Sequence, residues 1–253
     1  VKAEFGVGDT AMGLISGLAF AAVYALMGLP AGRLADRMPR TRLLAASCLL
    51  WALATMACGL AGSFLLLAIA RMLVAVSESP TTSASLSLIA DLYPPQKRSF
   101  AISCFTSAPT FSSIIGLSIG AWVVDQYGWR LAFVALGLPA LAFAATLGFL
   151  VRDPQRGRWD LMPHAPAPSA GLTREARDLW ALPTYRWMIL AGGLTTLGSY
   201  AIAMWNTSFL VRSHDLPLQH AGLLAGVVCG TAAGFGGLFS GWAGGCPGRP
   251  DGG

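Results

Sequence analysis

The sequence predicts an all-α membrane protein with about seven transmembrane helices, and three observations carry that reading. The chain of 253 residues is 55% apolar and only 11% charged, whereas about a quarter of a soluble domain is usually charged. Its apolar residues come in runs of about 20, the length that crosses a hydrocarbon core about 30 Å thick. Its Lys and Arg residues collect in alternate connections between those runs. Backbone groups in lipid must bond internally, so spans are helices or closed barrels. Runs this continuous select helices, and the mean hydropathy of +0.60 agrees.

The first run, 11–31, lacks the basic leader and small-residue cleavage site of a signal peptide, so it reads as a span. A dense charged turn follows at 32–42, Gly-Arg-Leu-Ala-Asp-Arg-Met-Pro-Arg-Thr-Arg. Charge of that density marks where two spans meet water. Further runs occupy 43–62, 65–90, 100–124 and 129–151. The longest connection, 152–186, opens with Pro154, Pro163, Pro166 and Pro168, which favour extended chain. In its second half Leu172, Ala176, Leu179 and Trp180 recur at helical spacing opposite Arg174, Glu175, Arg177 and Asp178, the pattern of a short surface helix. Runs 187–211 and 219–243 complete the set. Pro30, Pro80, Pro109 and Pro139 lie in or at the ends of runs, where each removes a backbone donor and can bend its helix. Glycines four apart (Gly13 and Gly17, Gly116 and Gly120, Gly226 and Gly230, Gly230 and Gly234) form ridges where helices can approach closely.

Basic residues orient the chain. One side holds Arg33, Arg37, Arg40, Arg42, Lys97, Arg98, Arg152, Arg156, Arg158, Arg174, Arg177, Arg186 and Arg249, and the other only Lys2, Arg130 and Arg212. By the positive-inside rule the first side is cytoplasmic. The same clustering explains the net charge of +5 without nucleic acid, for which no basic and aromatic surface pattern exists. Five scattered cysteines lack metal-ligand spacing and suit packing rather than a disulfide framework. His164, His214 and His220 lie in or beside loops. No paired carboxylates, His cluster or Ser–His arrangement appears within the runs, so the sequence predicts neither an enzyme nor a cofactor.

Arg71 and Glu78 stand inside the 65–90 run. A charge at mid-bilayer costs at least about 2.5–3.5 kcal/mol, and such residues mark functional pathways or pair with one another. Seven positions is close to two turns, so both project from one face, toward protein or a water-filled cavity. A Glu between desolvation and a guanidinium can gain and lose a proton as its surroundings change. A structural pair that fixes helix packing is the alternative. Ser77, Ser79, Thr81, Thr82, Ser83, Ser85 and Ser87 surround Glu78, and Thr106, Ser107, Thr110, Ser112, Ser113 and Ser118 follow in the next run. Such hydroxyls either line a hydrated wall or bond back to their own helices. From these, Ser77, Thr81, Thr106 and Thr110 are candidate cavity-lining residues, with Tyr200, Trp205 and Asn206 from the 187–211 run. A cavity lined this way suits an amphipathic solute. At the cytoplasmic face Asp36, Arg37 and Arg40 lie level with Asp91, Lys97 and Arg98. Opposite charges there can latch adjacent spans in one conformation, although exposed pairs contribute only about 0–1 kcal/mol.

The 32–42 turn resembles the signature between the second and third spans of major facilitator superfamily transporters. Gly32, Leu34, Ala35, Asp36, Arg37, Arg40 and Arg42 match it, while Pro39 replaces its second Gly and Thr41 a basic residue. Residues 70–80, Ala-Arg-Met-Leu-Val-Ala-Val-Ser-Glu-Ser-Pro, then Leu88-Ile-Ala-Asp-Leu-Tyr-Pro94 and Lys97-Arg98, resemble the spinster branch, with Ala75 and Ser77 in place of its glycines. Gly128-Trp-Arg-x-Ala-Phe133 is similar to these families as well. The resemblance implies a major facilitator helical bundle and alternating access between two six-helix halves. It implies that Glu78 is the proton or substrate carboxylate with Arg71 its partner, and that Asp36 belongs to the latch. It implies a small-molecule or lysolipid-like solute, proton coupling and residence in a bacterial inner membrane. Against twelve spans, the chain supplies spans 2 to 8. Residues 1–151 are expected to be a partial first bundle without its first span, 152–186 a cytoplasmic linker, and 187–253 the start of a second bundle with a truncated or aberrant tail. The expected function is solute transport. A non-transporting membrane protein that binds other helices is the alternative.

Overall fold

The computed structural model describes residues 1–159 and 172–244, and these are helical almost throughout. Short helices α1 (Lys2–Phe5) and α2 (Asp9–Gly13) lead through a π-helical turn, Leu14–Leu18, into α3 (Ala19–Arg37). Then come α4 (Arg40–Leu60), α5 (Phe64–Glu78), α6 (Thr81–Leu92), α7 (Pro95–Phe149), α8 (Leu172–Ala181), α9 (Pro183–Ser213) and α10 (Leu218–Gly244).

The ends follow local chemistry. Met38, extended ahead of Pro39, closes α3, because a residue before proline is pushed out of the helical region. Ser63 caps α5, its hydroxyl oxygen accepting from the Leu66 amide at 3.2 Å. Pro95 and Pro183 start α7 and α9, where a missing N–H is harmless. Pro80 separates α5 from α6, while Pro30, Pro109 and Pro139 ride inside continuous helices. Gly128 breaks α7 in two, at φ 83° and ψ 164°, a conformation costly for any residue with a Cβ. That break is the expected boundary between the 100–124 and 129–151 runs.

Among the described residues five helical stretches are long and apolar enough to span a bilayer: Asp9–Arg37, Arg40–Leu60, Phe64–Leu92, Ile119–Phe149 and Pro183–Ser213. The remaining two expected segments are helical too, in the first part of α7 and in α10, where Leu218–Val228 is a shorter apolar helix. The α8 surface helix forms as its spacing predicts, with Arg174, Arg177, Asp178, Leu179 and Trp180 all exposed. Three of the four prolines expected to make the linker extended, Pro163, Pro166 and Pro168, lie outside the described residues, as does His164.

The core runs through α3, α4, α5 and α6. Ile15, Cys58, Leu67 and Ala70 form one cluster, Phe20, Ala54, Val74 and Ala75 a second, and Ala35, Leu43, Leu44 and Ala84 a third. Small residues dominate because, between helices in lipid, close van der Waals packing replaces the hydrophobic effect. The tightest approach is between α4 and the second half of α7. A Cβ on Gly59 would stand 2.5 Å from the Arg130 carbonyl oxygen, and one on Gly137 would collide with the Met56 side chain and lie 3.0 Å from the Ala52 oxygen. Of the ridges read from the sequence, Gly13–Gly17 and Gly116–Gly120 are not where the helices meet most closely, while the side-chain environments of Gly230 and Gly234 lie outside the described residues. Gly17, Gly116 and Gly120 face open space, and Gly13 meets Trp205 at ordinary contact distance. Spacing on one helix says nothing of what stands opposite it. No residue of α9 is buried.

Candidate functional site

At the arginine-rich end, Arg40 starts α4 and is 1% exposed. Its Nη1 pairs with Asp91 Oδ2 and donates to Ser87 O at 3.1 Å and Ser87 Oγ at 3.0 Å. Its Nη2 donates to Pro154 O at 3.0 Å. Asp153 completes the shell: Oδ2 accepts from the Arg40 amide at 3.1 Å and Oδ1 lies 3.5 Å from Nε. The carboxylate thus sits at the N-terminus of α4, where unpaired amides favour a negative charge. Gly157 donates its amide to Asp91 Oδ1 at 3.0 Å. Arg156 caps the C-terminal end of α3, donating to the carbonyls of Ala35, Asp36 and Met38 at 2.7, 2.5 and 2.9 Å. Residues 153–157 therefore strap the ends of three helices together.

The expected latch is only partly this assembly. Arg40 and Asp91 meet, and their pair is buried rather than exposed. Asp36 enters through its backbone carbonyl alone, and among the described residues neither its carboxylate nor exposed Arg37 forms an ion pair. Arg98 donates to Ala90 O at 2.8 Å instead of to Asp91. The sequence reading does not reach Asp153 and Arg156, because in the 152–186 connection charge counts only toward orientation. The available signal was an acid and a base directly after a span.

Within the membrane Glu78 is the last residue of α5 and half-buried. Its Oε1 accepts from Trp51 Nε1, on α4, at 2.9 Å. Arg71 stands over the Phe20 ring, 5.3 Å from its centroid. Among the described residues Arg71 and Glu78 form no ion pair, so the partnership that the resemblance implies is not a direct contact here. A donor on the neighbouring helix and a ring on α3 engage the two groups separately. A cavity of about 410 Å³ opens beside Glu78, lined by Leu44, Ser47, Cys48, Trp51, Ser77, Thr81, Ser85 and Leu147.

Of the expected lining residues, Ser77 and Thr81 are on this wall, but each hydroxyl donates to its own helix, at Val74 O (2.7 Å) and Ser77 O (3.4 Å). Thr106 donates to Ser103 O at 3.2 Å and is exposed away from the cavity. The Thr110 side chain lies outside the described residues. Tyr200 comes from α9 to within electrostatic reach of Glu78, Arg71 and Tyr24 without lining the cavity. Trp205 packs toward Gly13, and Asn206 is half-buried. A second cavity of about 440 Å³ lies between α7 and the α9–α10 pair, with Gly116, Gly120, Phe133, Met204 and Thr207 on its wall. Trp51 was not foreseen. Its signal was an indole N–H in an apolar run, a donor that must find an acceptor when buried.

The opposite end carries its own polar contacts. Arg130 binds Glu4 and donates to Gly59 O and Ala61 O at 3.0 and 2.8 Å, and Trp129 donates to Glu4 Oε2 at 2.9 Å. The hydrogen bond from Arg130 holds the Glu4 carboxyl below the usual range. Among the described residues two polar side-chain contacts join the chain's first five expected segments to its last two: Arg212 to Asp9 at 3.2 Å, and Gln219 to Asp125 at 2.6 Å. Asp9 also pairs with Lys2.

An efflux pump of the major facilitator type from Mycolicibacterium smegmatis is 29% identical over 95% of this chain and 55% of its own length. The human protein spinster homolog 1 is 31% identical over 92% of this chain and 44% of its own. A bacterial homologue of the human lysosomal transporter spinster, crystallised inward-facing and unoccupied, superposes with a TM-score of 0.74 at 29% identity, covering 92% of this chain and 54% of that one. The chain thus spans about half the length of the relatives it matches. The family model for the Major Facilitator Superfamily matches residues 1–246, and with its apolar helices the chain is a multi-pass integral membrane protein of that superfamily, a family of transporters and not of enzymes.

Proposed function

We propose that the chain acts in secondary transport, moving a small or amphipathic solute by alternating access with proton coupling at Glu78. The observation that carries this reading is a carboxylate within a membrane-spanning stretch, open to a cavity of about 410 Å³. Intramembrane carboxylates face bundle interiors or water and mark ion and substrate pathways. Arg71 and Tyr200 supply the remaining polar surroundings, from α5 and α9. The Arg40–Asp91–Asp153 assembly at the arginine-rich, cytoplasmic end is the latch, and Asp9–Arg212 with Asp125–Gln219 close the opposite mouth. In alternating access one set of contacts holds while the other opens. Relatives named as an efflux pump and as a probable galactarate/D-glucarate transporter from Bacillus subtilis support a small-molecule solute, and a lysolipid-like one rests on the resemblance to the spinster branch alone. A bacterial inner (plasma) membrane is consistent with these bacterial relatives.

The test uses the purified chain in liposomes containing a pH-sensitive dye, with D-glucarate and a lysophospholipid as probes. Probe movement should drive proton flux, and Glu78→Gln should abolish the flux. Equal flux in the variant would remove Glu78 from the coupling role.

A further inference from the structure

The hydroxyls around Glu78 look like the donors that solvate it, but Ser77 and Thr81 spend their protons on Val74 O and Ser77 O. The donor that reaches the carboxylate comes from another helix, Trp51 Nε1 at 2.9 Å. An indole N–H donates and never accepts. It therefore discriminates between the two forms of the acid: a hydrogen bond to an ionised oxygen is about twice as strong as one to a neutral group. Arg71 is meanwhile turned to the Phe20 ring, 5.3 Å from its centroid.

From this geometry we infer that Trp51 is a positioning residue for Glu78. It holds the ionised carboxylate toward α4, at the mouth of the cavity lined by Ser47, Cys48 and Ser85, and away from Arg71. Protonation weakens that bond and frees the side chain to turn. Of the other titratable or charged groups nearby, Tyr200 of α9 is within electrostatic reach of Glu78, and also of Arg71 from α5 and Tyr24 from α3, while Cys48 from α4 shares the cavity wall. Leu147 of α7, on the same wall, carries no charge. The inference rests on the proposed titration of Glu78, and it names the group that senses it.

The experiment is nuclear magnetic resonance of the full chain in lipid nanodiscs, with ¹⁵N in the indole rings of its 8 tryptophans. Trp51→Phe keeps the aromatic bulk and identifies the Trp51 signal by its loss. That signal should move as pH is lowered, and in Glu78→Gln it should sit at a new position and stop responding to pH. A merely structural indole would not follow the acid. Should Trp51→Phe fail to fold, a resonance that shifts in both Glu78→Gln and Glu78→Ala identifies the contact instead. A Trp51 resonance unchanged in both Glu78 variants overturns the inference. One that shifts in the variants but never with pH leaves the contact standing, and it refutes the protonation-dependent release together with the proton-coupled reading of Glu78.

Discussion

Replacing Arg40 by Ala should destabilise the chain more than any other single change at the arginine-rich end. The guanidinium is 1% exposed, and its carboxylate partners Asp91 and Asp153 are 14% and 23% exposed. Removing one partner of a buried pair costs about 3–5 kcal/mol, because it strands the other charge. Two features favour the low end. Asp91 keeps the Gly157 amide, and Asp153 keeps the residue 40 backbone N–H. The expected loss is therefore about 3 kcal/mol, within the range for one partner of a buried ion pair. Arg40→Lys keeps the charge but not the fork that reaches Asp91, Ser87 and Pro154 together, so it should recover only part of the loss. Equilibrium unfolding in mixed micelles measures both. A double-mutant cycle with Asp91→Ala should show coupling of at least about 1 kcal/mol, as groups in one network do. A loss below about 1 kcal/mol, the range of an exposed pair, or strictly additive effects, would refute the reasoning.

Other outcomes follow from the same geometry. Gly59→Ala should cost about 1–3 kcal/mol, as overpacking does, because its Cβ meets the Arg130 carbonyl at 2.5 Å; an unchanged midpoint in the same unfolding assay would show that the two helices separate easily. Glu4 has a lowered pKa in the folded chain, so its contribution is complete above the ordinary glutamate value and fades as pH falls through the lowered one. Hydrogen exchange of residues 1–8 should accelerate over that acidic window in the unaltered chain and be fast throughout in Glu4→Gln; equal exchange in both would remove the pair from that role. Arg212→Ala with Gln219→Ala should increase the modification of a cysteine introduced at Thr207 by a water-soluble thiol reagent, since both contacts between the two sets of helices at that end are lost. Unaltered labelling would mean those contacts do not hold the mouth shut.

Much of this architecture was legible because lipid makes a simple demand. Every stretch of about 20 apolar residues must be helical, and the charged turns at 32–42 and 94–98 must lie outside. Even the break at Gly128 fell between two runs. What the sequence left open depends on neighbours. Arg71 and Glu78 are correctly spaced for one face, yet Phe20 and Trp51 on other helices decide what each touches. The close contacts at Gly59 and Gly137 belong to no repeated spacing, because the groove each fills is shaped by Arg130 and Met56 on the opposing helix. Asp153 and Arg156 sit in a loop whose charges read as orientation until the chain folds them back on α3 and α4.

The central claim is that Glu78, deep in a greasy helix, meets water. In a variant with the five native cysteines replaced, Glu78→Cys should react with a membrane-impermeant thiol reagent added to sealed vesicles, and more quickly from the arginine-rich face than from the other. Reaction only with a lipid-soluble reagent, at the same rate from either face, would place that position against acyl chains and contradict the account.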